Sequence, residues 1–114
     1  MQTHIGQIAL LVNDYDEAIE YFVNVLQFSL VEDTILSDKK RWVVIEPRES
    51  NNQGCKLLLA KASNNNQLKF VGNQSGGRVF LFLYSSDIDK FHNNLIVNSV
   101  EIVNGPRVET YGKV

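Results

Sequence analysis

The chain opens on an apolar run, Ile5 to Val12, in which Gln7 is the only polar side chain. Strand alternation puts Ile8, Leu10 and Val12 on one side and Ile5, Gln7, Ala9 and Leu11 on the other, so the run predicts a strand covered on both faces. The period then changes from two to about 3.6. Asp14 with Glu17 three residues on is a capping box, and Tyr15, Ala18, Ile19, Phe22 and Leu26 fall on one helical stripe. Two strand-like runs follow, Phe28 to Leu36 and Arg41 to Glu46; the polar turn Ser37-Asp38-Lys39-Lys40 between them and Pro47 after them predict a hairpin. Asn51-Asn52-Gln53-Gly54 reads as a turn, and Cys55 to Lys61, centred on Leu57, Leu58 and Leu59, as one more strand. The first half is therefore β-α-β-β-β.

Residues 62–76 carry no regular pattern and are predicted to link two halves. Beyond them the opening pattern returns: Arg78 to Leu83 as a strand, Ser86 with Asp89 as a capping pair, and Ile88, Phe91 and Leu95 at helical spacing. Ile8, Leu10 and Val12 match Val79, Leu81 and Leu83; Ile19, Val23, Phe28 and Leu30 match Phe91, Leu95, Val100 and Ile102. The repeat lies in apolar pattern, not in letters. It predicts an α+β fold of tandem βαβββ modules, module one about 1–61, linker 62–76 and a partial module two over 77–114.

At 114 residues and 44% hydrophobic the chain has the size of one domain with one core. A net charge of -2, with Lys39-Lys40-Arg41 as the longest basic run, offers no footprint for nucleic acid, and the trio reads as a solvated turn. The single cysteine, Cys55, excludes an internal disulfide and a structural zinc site, and places the protein in a reducing cytoplasm. There is no apolar run of membrane-spanning length.

The stretch Gln7 to Phe22 with Asn24-Val25-Leu26-Gln27-Phe28, the segment Gly72 to Leu83, and Pro106 to Val114 together resemble the vicinal-oxygen-chelate superfamily, also called the glyoxalase/bleomycin resistance/extradiol dioxygenase superfamily, in a bacterial branch. The resemblance covers nearly the whole chain. It implies a curved mixed sheet around a concave pocket and, in metal-dependent members, a His or Gln ligand on each module's first strand and a Glu or equivalent on each last strand. Transferred residue by residue, the first ligand falls on Gln7, a weak amide donor. The second falls on Arg78, a permanent cation, and the third near Leu58, with Leu57 and Ala60 beside it. The fourth belongs to a strand beyond Val114. The resemblance therefore implies a pocket with no metal and no other cofactor.

The two histidines do not restore a site: His4 is expected on the opposite face from Gln7, and His92 at the edge of a helix. Asp14, Asp16 and Glu17 are explained by the helix start, and Glu46 by the end of its strand. What remains is a pocket lined by Gln7, Ala9 and Leu11 from one module and by Arg78, Phe80 and Phe82 from the other, with Leu58 beneath and Trp42 closing it. Its expected ligand is a small apolar or aromatic organic anion held by Arg78. The alternative is a glyoxalase-like lyase or dioxygenase with an atypical or intersubunit metal site; no catalytic residue is assigned. The short second half leaves an unpaired sheet edge, which predicts a homodimer unless the chain is a truncated form.

Overall fold

The computed structural model describes residues 1–51 and 53–114; Asn52, within the expected turn, lies outside them. Strand β1, Gln7–Val12, leads through Asp14 into helix α1, Tyr15–Glu20. The Asp14 carboxylate accepts from the Glu17 amide at 2.9 Å, as the capping box requires. The helix then widens into a π-helical turn, Tyr21–Val25, where the Leu26 amide reaches back to the Tyr21 carbonyl at 3.0 Å. Strands β2, Phe28–Ile35, and β3, Arg41–Pro47, form the hairpin, and β4, Lys56–Lys61, completes a sheet of order β1-β4-β3-β2. β1 runs parallel to β4, while β3 is antiparallel to both its neighbours.

The register sorts the sheet into two faces. Ile8, Leu10 and Val12 lie on one face with Leu57, Leu59, Val43 and Ile45, and helix residues Tyr15, Ala18, Ile19, Phe22 and Leu26 cover it. Val43, Ile45 and Leu59 are sealed from solvent here. Phe28 closes the layer, its ring edge-on to Phe22 at 5.3 Å. The helical stripe and the strand alternation are thus two views of one core.

Arg41 ties the hairpin to the helix. Its guanidinium makes a bidentate pair with Asp33 at 3.0 and 2.6 Å, a third bond to Asp16 at 2.9 Å, and lies 5.2 Å from the centre of the Tyr15 ring. The Arg41 amide donates to the Tyr15 hydroxyl at 3.2 Å. The basic trio is therefore not wholly a solvated turn: Arg41 is engaged, while Lys39 and Lys40 are exposed. Hydrogen bonds from Arg41 hold the Asp33 carboxyl below its ordinary 3.8. A carboxylate stabilised in the folded state contributes stability above its unfolded pKa and loses it as pH falls through the folded one. The stability difference between the wild type and Asp33→Asn should therefore be full at neutral pH and shrink below pH 3.8, as read by thermal melts across pH. A difference independent of pH would sink this account.

Residues 62–76 carry one short helix, α2, Asn65–Leu68, capped by Asn64, whose side chain accepts from the Gln67 amide at 2.8 Å. This segment packs with β1–β4 in a unit spanning Met1–Phe80; Leu81–Val114 form a second unit. In the second unit, helix α3, Ile88–Val97, occurs where the repeat places it. Its cap is Asp87, which accepts from the Lys90 amide at 3.0 Å, rather than the expected pair Ser86 and Asp89. Two-residue strands β5, Val108–Glu109, and β6, Gly112–Lys113, form a terminal hairpin.

Two expected strands are absent. Arg78 to Leu83 and the copy at Val100 to Ile102 have the composition of strands but join no ladder among the described residues. β-propensity describes how a side chain fits a pleated surface, and neither segment has been given one.

Candidate functional site

The second face of the main sheet lies opposite the one that α1 covers. By register it carries Gln7, Ala9 and Leu11 of β1, Lys56, Leu58 and Ala60 of β4, and Trp42, Val44 and Glu46 of β3. Its centre is apolar: Ala9 is exposed, and Leu11, Leu58, Ala60 and Trp42 are half-buried. At one end Glu46 pairs with Lys56 at 3.6 Å, beside Gln7, so the one acidic residue of β3 has a partner on this face. Five residues singled out in the sequence, Gln7, Ala9, Leu11, Leu58 and Trp42, thus share one surface.

The loop after α2 builds a cavity of about 380 Å³ at the outer edge of β1, lined by Leu10, Gln74, Ser75, Gly77, Arg78 and Phe80. Gly77 takes φ +96, a conformation that side chains rarely adopt, and lets the loop turn beside the strand. The Ser75 hydroxyl donates to the Arg78 carbonyl and fixes the backbone there. Arg78 is exposed and makes no ion pair among the described residues, so its guanidinium is available. Phe80 is half-buried against this cavity, whereas Phe82, 74% exposed, belongs to the second unit.

Gln74 is the residue that sequence reading missed. Its side-chain amide accepts from the Leu11 N–H at 2.8 Å and donates to the Ala9 carbonyl at 2.8 Å, anchoring the cavity wall to β1. The only signal in the sequence was a polar, hydrogen-bonding residue amid glycines, which the turn already explained.

Of the positions expected to hold a metal, Gln7 offers an amide oxygen, while Leu58 and Arg78 offer no donor. Across from Gln7 on β4 stands the Lys56 ammonium, Leu58 faces Ala9, and Arg78 is cationic. Among the described residues no group of three or more His, Cys, Asp or Glu is placed to hold an ion. His4 precedes β1 and is exposed, and His92 is half-buried on α3. The open face itself offers an apolar surface with the Gln7 amide and Lys56 at one end, while Arg78 lines the cavity at the edge of β1 beside Leu10 of the other face.

Known proteins share this architecture. A family model for the Glyoxalase/Bleomycin resistance protein/Dioxygenase superfamily matches residues 4–114. An uncharacterized protein of Shewanella frigidimarina (strain NCIMB 400) is 49% identical over 115 residues, covering 100% of this chain and 84% of its own. Among solved structures, UcmS2 superposes with a TM-score of 0.81 at 18% identity, over 99% of this chain and 87% of that one. TnmS3, an antibiotic-binding protein from Streptomyces sp. CB03234, gives 0.71 at 21% identity, over 96% and 80%. No helix among the described residues is long and apolar enough to cross a membrane.

Proposed function

The chain belongs to the glyoxalase/bleomycin resistance protein/dioxygenase superfamily, and from that premise we propose that it binds a small apolar or aromatic organic anion without a metal. The observation that carries this reading is the open sheet face: an apolar centre of Ala9, Leu11, Leu58 and Trp42, with hydrocarbon and cations where a metal would need donors. The flat part of the ligand lies on that face. Its anionic group reaches past the edge of β1 to Arg78, whose cavity is lined also by Phe80 and by Leu10 of the helix-covered face. That the fold also serves an antibiotic-binding protein supports binding as a use of the scaffold, though fold alone does not fix function.

Trp42 is the only tryptophan, so its emission reports the face directly. Titration with 8-anilinonaphthalene-1-sulfonate, a flat apolar body with one anionic group, should give saturable quenching of Trp42 at one probe per chain. Quenching that fails to saturate, with circular dichroism showing the chain folded, would remove the reading.

The same reading includes a homodimer. Val79, Phe82 and Tyr84 are 66%, 74% and 90% exposed, and no backbone group of residues 79–84 is paired among the described residues. An apolar, exposed segment of this kind is stabilised by pairing with another chain. Light scattering on the wild type reads the dimer as twice the chain mass of 12.9 kDa.

A further inference from the structure

Among the described residues β1 is an edge strand, with β4 on one side only. The carbonyls of Gly6 and Val12 accept from Lys56 and Ala62 of the β4 side, so even-numbered peptides face β4 and those of Gln7, Ala9 and Leu11 face outward. In a parallel ladder, a residue opposite Leu10 would donate its N–H to the Ala9 carbonyl and accept from the Leu11 N–H. The Gln74 amide makes both bonds, each at 2.8 Å. One side chain thus stands in for one residue of a missing strand. Beyond it the outward Ala9 N–H and the Gln7 peptide have no partner among the described residues.

The same chain carries a strand in search of a sheet. Val79–Tyr84 equals the six residues of β1 in length, is wholly apolar but for the Tyr84 hydroxyl, and has no backbone partner among the described residues. A chain that offers both a free strand and an open edge can join copies head to tail, and such contacts extend into open chains unless their geometry closes. We infer that the outer edge of β1 is a strand-acceptor site that Gln74 holds shut against Val79–Tyr84 of a second copy. The plug is specific in kind: a primary amide both donates and accepts in one plane, which a carboxylate or a hydrocarbon of the same length cannot do. This inference rests on the reading of Val79–Tyr84 as a pairing strand and adds where that strand is forbidden to go.

The experiment is Gln74→Met, which keeps the side-chain volume and removes both bonds. Light scattering should find species larger than the wild type, with the association midpoint about tenfold lower in protein concentration. At concentrations too low for association, the Leu11 amide should exchange its hydrogen about tenfold faster than in the wild type. Gln74→Glu, which retains an acceptor and loses the donor, should act in the same direction and serves if the first variant does not fold. Two second-site changes locate the contact. Ala9→Pro, which removes an outward N–H and places a ring on the edge, should return Gln74→Met to wild-type size, and Leu81→Pro, which spoils the strand that both contacts use, should leave Gln74→Met no larger than the wild type. Wild-type size and Leu11 exchange in both Gln74 variants would overturn the inference, as would association that survives either proline. A monomeric wild type beside an associating Gln74→Met would remove the dimer and leave the guarded edge standing.

Discussion

Replacing Ile45 with alanine should lower the unfolding free energy by about 2–5 kcal/mol, with the urea midpoint falling and the slope unchanged. Ile45 is fully enclosed on β3, a strand with a neighbour on each side, and sits in the layer with Leu57 and the residues of α1. No flanking element is free to collapse into the space, because β2 and β4 are both hydrogen-bonded to β3. Domains of this size are stable by roughly 5–15 kcal/mol in all, so one truncation removes a large share. Leu58→Ala is the control. It lies on the other face of the neighbouring strand and is half-buried, so the space it vacates is open to solvent and its effect should be less than half as large. Equal losses at the two positions would mean that the faces have been assigned the wrong way round.

The second large effect is on binding. Arg78→Met should weaken 8-anilinonaphthalene-1-sulfonate by about ten- to a hundredfold, the range for losing a hydrogen bond to a charged group. Because Arg78 is exposed and its guanidinium holds no ion pair among the described residues, the substitution should leave thermal stability within about 0.5 kcal/mol of the wild type. A neutral probe of the same shape, N-phenyl-1-naphthylamine, separates charge from packing: its affinity should be unchanged. Equal weakening of both probes would assign Arg78 to shape rather than to anion recognition, and no weakening of either would place the anion elsewhere.

The first four strands and the first helix were legible because each satisfies a local rule and a global one together. Asp14 caps the helix and the stripe from Tyr15 to Leu26 lands on the strand residues that alternation points toward it. The side-chain inventory of the open face was legible for the same reason, since period two assigns Gln7, Ala9 and Leu11 to one side before any partner is known. Whether Gln7, Arg78 and their neighbours form one binding site is a question for the probe titrations. Three features lay beyond the sequence. The cap of α3 is one residue from the expected position because Ser86, Asp87 and Asp89 all satisfy the same preference, and only backbone geometry separates them. The strand over Arg78 to Leu83 is missing because ladder bonds are a property of two segments, and apolar alternation describes one. Arg41 and Gln74 escaped notice because their partners are distant in sequence: Arg41 reaches Asp16, and Gln74 reaches β1 across more than sixty positions.

The parallel union of β1 and β4 also bears on the expected order of assembly. The β2–β3 hairpin closes over five residues and β4 joins it across a short loop, whereas Gln7 must meet Lys56, 49 residues on (56 less 7). Closing a loop of that length carries an entropic cost that only a formed sheet repays. β1 is therefore expected to dock last and to leave first on partial unfolding, which hydrogen exchange at Ile8 and Leu10 would read, and the cavity wall hung on it by Gln74 should go with it.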